Sequence, residues 1–408
     1  MSNKLDNKNF NPETIAILEG HDPLLNDGMV NPPILQTSTV IFPTLESYFN
    51  AADKHLSHYK NGSDIKNSDY SYGLAGSQTS FSLRKLMAKL ENADHCLLFP
   101  SGLNAIVSCL TAYLRPNDHL LIADTVYGPT RRFCNKFLSS IGVEVTYYDP
   151  LIGGEIKNLI KENTKVIFTE SPGSITFEVQ DIEAICHVAN EINPDIVKMI
   201  DNSWATPFYY QPFDYGIDVS IHAGTKYIGG HADLLIGMVN VNDKCAKTIF
   251  DFHHHSGIGV SAQECYVAQR GIRTMKLRLD AHAQSALSLA KYLETHPKVT
   301  KILHPSFNSC PGHEIWQKTF TGAGGLFSFI LDKHYDDNQL SNMMDNMNLF
   351  AIGCSWGGYN SLILPYDLSA VRSETKYQES GTLVRIYVGL ENIDDLQNDL
   401  EMALARLG

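Results

Sequence analysis

Apolar β-prone runs and amphipathic helical runs alternate through the middle of the chain. Between Cys96 and about residue 242 the β-prone runs are CLLF, HLLIA, VEVTYY, KVIFTE, VKMI, DVSI and LLIGMVNV. Apolar residues at helical spacing fill most of the gaps, at roughly 104–114, 130–140 and 181–190. The alternation predicts an α/β fold in which a mainly parallel, seven-stranded sheet lies between layers of helices. Such sheets bind ligands beyond the carboxyl ends of their strands, so the chemistry is sought in the loops that follow them.

The flanks read differently. Residues 1–65 carry little periodicity, with Pro32-Pro33, Pro43 and a polar run from His55 to Ser68. They read as an extended arm, a kind of segment that either stays disordered or gains order by lying on something else, here expected to be a neighbouring subunit. Residues 66–264 form the expected large α/β domain, its helical pattern starting near Phe81. From residue 265 onward a long helical pattern over 268–294 precedes the shorter strands VTKIL, GLFSFIL and LVRIYVG. This predicts a smaller α+β domain over 265–408. Its last helix starts from Asn392 as cap, with Asp395 three residues on, and puts Leu396, Leu400, Ala403 and Leu407 on one face.

Composition narrows the partners. The 408 residues suffice for two cores, and a formal charge of −13 disfavours nucleic acids and anionic membranes, leaving small molecules. Eight cysteines without a C-x-x-C pair point to reduced thiols and a cytoplasmic protein. The polar N-terminus lacks the apolar stretch of a signal peptide, and no run is long enough to span a bilayer.

The loops after the strands hold a set of chemically matched residues. DVSIHA is followed by Gly224, Thr225 and Lys226, a lysine at a strand end that burial and nearby cations can turn into a nucleophilic amine for Schiff-base chemistry. The bland alternative is a solvated surface lysine. After CLLF, Ser101, Gly102, Leu103 and Asn104 open a helix whose first N–H groups suit a phosphate, or form only an ordinary cap. Tyr127, after HLLIA, is placed to stack on a flat heterocycle or to pack in the core. Asp201, at the end of VKMI, is costly to bury unless paired, and a protonated pyridine nitrogen would hold it ionised. In the second domain Arg385 interrupts an apolar strand, as a carboxylate clamp or a snorkelling side chain, and Ser355-Trp356-Gly357-Gly358 lies nearby in sequence. A phosphate cradle, a stacking ring, an anion for a ring nitrogen and a lysine are the parts that pyridoxal 5'-phosphate (PLP) needs. The run His253-His254-His255 reads as a solvated helix end, because consecutive side chains diverge and do not converge on a metal.

Nearly the whole chain resembles one enzyme family. The runs YGLAGSQTSFSLRKLMAKLE, TKVIFTESPGSITFEVQD, IDNSWA, DYGIDVSIHAGTKY, SWGGYNSLIL and SGTLVRIYVGLE resemble the cystathionine β-lyases, a branch of the Cys/Met-metabolism group of fold-type I PLP enzymes. The resemblance implies a carbon–sulfur lyase that cleaves L-cystathionine by α,β-elimination in methionine biosynthesis, as a homotetramer with shared active sites. It implies that Lys226 carries PLP, Asp201 pairs with the pyridine nitrogen and Tyr127 stacks on the ring. Ser101, Gly102, Leu103 and Thr225 would line the phosphate. Arg385 would hold the substrate carboxylate with Ser355 and Trp356, and Tyr72 would reach into a neighbouring subunit's site. Two positions depart from the family pattern: Leu74 where an arginine is usual, and Ala223 where many relatives have serine. Ser77, Thr79 or a nearby cation would have to replace their phosphate contacts. Alternative readings are a broader cysteine-S-conjugate lyase, an amino-acid racemase, or a non-catalytic binding protein with the same fold.

Overall fold

The computed structural model describes residues 10–20, 23, 26–61, 70–368, 372–375 and 379–407. Seven strands form the larger sheet: β1 (His95–Phe99), β2 (His119–Ala123), β3 (Glu144–Tyr148), β4 (Thr164–Glu170), β5 (Val197–Asp201), β6 (Val219–Ala223) and β7 (Gly237–Val241). Their order is β1-β7-β6-β5-β4-β2-β3, and β7 alone runs antiparallel to its neighbours. The sheet is apolar on both faces, as a helix-covered parallel sheet must be. Leu120, Ile122, Phe168, Val219 and Ile221 pack on one side with Ile106 and Leu110. Ile200 and Met238 pack on the other with Leu83, Leu86 and Ile272.

The helices before this sheet's middle strands are α1 (Pro12–Leu18), α2 (Leu45–Asn61), α3 (Gln78–Leu90), α4 (Gly102–Tyr113) and α5 (Gly128–Phe133). The second sheet, β8 (Val299–Leu303), β9 (Leu326–Leu331), β10 (Ala351–Ile352), β11 (Leu362–Tyr366) and β12 (Leu383–Tyr387), has the order β10-β11-β12-β9-β8. Phe327, Phe329, Ile386, Leu396, Leu400 and Ala403 form its core with the C-terminal helix. Asn392 caps that helix, accepting from the N–H groups of Asp394 and Asp395 at 2.9 and 3.4 Å.

Three expectations need correction. The segment read as an extended arm contains α1 and α2. In α2, Leu45, Tyr48 and Phe49 stand at helical spacing but are exposed, and the polar residues around them obscured the period. Residues 62–69, part of the polar run, lie outside the described residues. The long helical pattern over 268–294 is two helices, Ala262–Arg273 and Met275–Glu294, broken at Thr274. Arg278 turns back there to donate to Gly271 O at 2.7 Å, satisfying a terminal carbonyl. Finally, the three histidines do end a helix, Asp243–His255, but His253 is not solvated. It donates to Leu98 O at 2.9 Å, lies edge-on to Phe99, and burial pushes it down to about 4. Among the described residues no helix is long and apolar enough to cross a membrane.

Candidate active site

The carboxyl edge of the larger sheet brings together Ala123, Glu170, Asp201 and Ala223, the last residues of β2, β4, β5 and β6. A buried network beneath it fixes the strand ends. Glu91, fully buried at the end of α3, accepts from Ser220 Oγ at 2.7 Å, Asn202 Nδ2 at 2.9 Å and Asn240 Nδ2 at 2.8 Å, and is also bonded to His222. A carboxylate so enclosed costs several kcal/mol in order-of-magnitude terms unless its lone pairs are filled, and here four donors do so. Ser203 adds a clamp above: its N–H donates to Asp201 Oδ1 at 3.0 Å while its hydroxyl accepts from Ala223 N at 2.7 Å.

Lys226 lies in the turn beyond β6. Its Nζ donates to Ser355 Oγ at 2.8 Å and sits 5.2 Å from the centre of the Trp356 ring. The sequence Gly357-Gly358 makes this approach possible. Gly357 has φ +87°, and a Cβ there would lie 2.7 Å from Lys226 C and 2.8 Å from its Cα. Burial and the Arg385 charge push the lysine down to about 8, against the fields of Cys354 and Asp201. Lys226 is thus half-buried and engaged by Ser355, unlike a freely solvated surface lysine.

Arg385 is 7% exposed on β12, between Leu364 of β11 and Ser328 of β9. It reaches the carbonyls of Gly353 and Ser355 only at 3.4 and 3.5 Å, and its guanidinium lies 5.1 Å from the Tyr366 ring centre. It forms no ion pair among the described residues, so its planar fork is largely uncommitted.

Burial raises the Asp201 carboxyl, while Ser203, His222 and Lys226 oppose the rise. No cationic side chain pairs with it at salt-bridge distance among the described residues. Tyr127 is 44% exposed and stacks on no other ring among them. Its hydroxyl is raised by burial and then by Asp201, Cys354 and Glu170. Ring, carboxylate, lysine and arginine each feel another's charge and so lie close together, and the place they surround is the candidate cleft.

At the start of α4, Ser101 Oγ accepts from Asn104 N at 3.1 Å, the ordinary cap that the sequence left open. Gly102 is closely pressed on β6, since a Cβ there would lie 2.6 Å from Ala223 Cβ. Ala223 thus occupies ground where a larger residue would crowd the helix. Leu103 is partly exposed, and Thr225 Oγ1 accepts from Ile236 N at 3.2 Å.

Tyr72 stands apart from this cluster. It bridges to Thr39, is 54% exposed and lines another depression with Leu74, Arg84 and His253. Ser77 and Thr79 have local employment. Ser77 completes a capping box with Ser80, and Thr79 donates to Pro33 O at 2.7 Å and accepts from Leu35 N at 2.9 Å.

Sequence reasoning missed Glu170 and Cys354. Glu170 ends a buried strand just as Asp201 does, so the argument that singled out Asp201 applied to it equally. Seven cysteines are buried and Cys354 is exposed; its field is felt by Lys226, Tyr127, Tyr366 and Arg385. Only its position beside Ser355 signalled a place in the cleft.

The chain is similar to known proteins over almost its full length. Cystathionine beta-lyase MetC of Escherichia coli (strain K12) is 41% identical, across 93% of this chain and 94% of that protein. The L-alanine/L-glutamate racemase of Wolbachia pipientis wMel is 42% identical, across 97% of each. The crystal structure of metB from Corynebacterium glutamicum superposes with a TM-score of 0.86 at 28% identity, covering 98% of this chain and all of that one. The family described as Cys/Met metabolism PLP-dependent enzyme matches residues 13–405. By that match, which spans nearly the whole chain, the chain belongs to the Cys/Met metabolism PLP-dependent enzymes.

Proposed function

We propose that this enzyme is a cystathionine β-lyase that cleaves L-cystathionine by α,β-elimination to homocysteine, pyruvate and ammonia. The observation that carries the reading is Lys226, poised by Ser355 and depressed by burial and Arg385, in one cleft with Asp201, Tyr127 and Arg385. Its similarity to the E. coli cystathionine β-lyase supports the substrate.

The residues fit PLP. Asp201 lacks a cationic partner among the described residues, Tyr127 lacks a stacked ring, and α4 begins against β6 with only glycine between them. Lys226 would hold the cofactor covalently, Asp201 would face the pyridine nitrogen, and Tyr127 would lie on the ring. Ser101, Gly102, Leu103 and Thr225 would receive the phosphate at the positive end of α4. When bound, PLP supplies an electron sink for negative charge at the substrate's α-carbon.

The chain's own groups do the rest. Arg385 holds the substrate carboxylate with a two-pronged grip, and Ser355 and Trp356 border that place. Lys226, held down to about 8, would be neutral often enough near that pH to take the substrate's α-proton at Nζ. Ser355 Oγ steadies Nζ for the transfer. A protonated ring nitrogen opposite Asp201 would hold its carboxyl ionised against the rise that burial causes.

We read residues 66–264 as the cofactor-binding domain and 265–408 as the smaller domain. Residues 1–65 and Tyr72 serve a neighbouring subunit in a cytoplasmic homotetramer. Lys226→Ala should abolish cystathionine turnover, and substantial cleavage by that variant would defeat the proposal. Amino-acid racemisation is a second reading, favoured by the 42% identity to the Wolbachia racemase. Chiral analysis of L-alanine after incubation with the enzyme decides it.

A further inference from the structure

Glu170 joins two loops of the cleft, and nothing above gives it a task. It ends β4 directly beside Asp201 in the parallel register. Its Oε2 accepts from Tyr127 N at 2.7 Å, and its Oε1 is bonded to the hydroxyl of Ser174. The same two loops are tied again by Ser174 N, which donates to Thr125 O at 2.9 Å. Gly173 permits this, because a Cβ there would lie 2.4 Å from Thr125 Oγ1. The height and tilt of Tyr127 over the cleft therefore rest on the Glu170 carboxyl.

Two carboxyl groups at neighbouring strand ends cannot both be charged cheaply. The groups facing them decide which keeps a proton. Asp201 is opposed by His222 of β6, Lys226 beyond it and the donors of Ser203. Glu170 faces Asp201 of β5, which favours its proton, while the donors of Ser174 and Tyr127 N and the cationic Arg372 of the 372–375 segment oppose. The cations nearest the reaction centre favour the charge on Asp201.

We propose that Glu170 is a positioning residue that works in its uncharged form: it fixes the Tyr127 ring against the cofactor while leaving the negative charge to Asp201. An uncharged Glu170 accepts from Tyr127 N through Oε2 and donates its own proton to Ser174 Oγ, a geometry the hydroxyl permits. Burial and the charge of Asp201 push Glu170 up to about 8, in keeping with this assignment. The proposal rests on the reading that Tyr127 and Asp201 receive the PLP ring.

Glutamine has the shape of the uncharged acid and can make both bonds. The test is PLP binding at pH 7, followed by the dissociation constant and the induced circular dichroism of the bound cofactor. Glu170→Gln should bind within about threefold of the unaltered enzyme with the same dichroism. Glu170→Ala should bind roughly ten- to a hundredfold more weakly and alter the dichroism as Tyr127→Ala does. In the Tyr127→Ala background Glu170→Ala should cost little more, since both act through one ring. A merely structural glutamate would give additive losses and leave the dichroism unmoved. Should Glu170→Ala fail to fold, Glu170→Asp, one methylene shorter, carries the same comparison. Loss in Glu170→Gln equal to that in Glu170→Ala, or additive losses, would overturn the proposal. Failure of the unaltered protein to take up PLP would instead refute the reading beneath it.

Discussion

Replacing Arg385 by lysine separates charge from geometry at the substrate end of the cleft. The guanidinium is buried on β12 and makes only two long contacts with carbonyls, at 3.4 and 3.5 Å, so its donors are largely unspent. Lysine keeps a positive charge but loses the planar fork, which makes the change far from conservative at a two-pronged site. A hydrogen bond to a charged group is worth about 1.5–3 kcal/mol, so losing one of two predicts a roughly ten- to 150-fold lower kcat/KM. The carboxylate is held alike in ground and transition states, so the loss should fall mainly on KM. Steady-state pyruvate release from L-cystathionine measures it, with cofactor absorbance confirming that PLP remains bound. An unchanged kcat/KM, or loss of the cofactor, would refute the assignment of Arg385 to the substrate carboxylate.

Further tests address the other parts of the cleft. Since Lys226 is held near 8, below the usual lysine range, its amine is mostly protonated below that pH and neutral above it. PLP addition to cofactor-free enzyme should therefore speed up until about pH 8 and then level off; stopped-flow absorbance that keeps climbing toward pH 10 contradicts this. Arg385→Ala removes a charge that lowers Lys226, so the levelling point should move to higher pH. Gly357→Ala must place a methyl against the Lys226 backbone at positive φ, at a cost of about 1–3 kcal/mol. Thermal unfolding should show that loss together with reduced turnover, and an unchanged melting temperature would argue against the close contact. Asp201→Asn keeps the shape but removes the anion, so activity should drop by roughly a hundredfold or more while circular dichroism in the far ultraviolet stays the same.

Much of this arrangement could be read from the residues. Buried strands such as HLLIA have no polar face, and their runs match β1 to β7 to within a few residues because helices cover both sides. Lys226, Asp201, Tyr127 and Arg385 were visible because each is an awkward residue at the end of, or within, an apolar run. Where long-range packing decides, the pattern was silent. Helix α2 exposes Leu45, Tyr48 and Phe49, and the polar residues around them obscure their helical spacing. The break at Thr274 depends on Arg278 returning to the Gly271 carbonyl. His253 lies inside because β1 passes beneath the helix end, a neighbour 155 residues away. Glu170 ends its strand as Asp201 does and was open to the same argument; only its place beside Asp201, 31 positions apart in sequence, needed the sheet to be seen.

The central claim is β-elimination, and the products of L-cystathionine report on it directly. PLP-loaded enzyme should yield pyruvate and homocysteine in equal amounts. Cysteine with 2-oxobutyrate would place the cleavage on the other side of the sulfur, and with it the β-lyase assignment would fall.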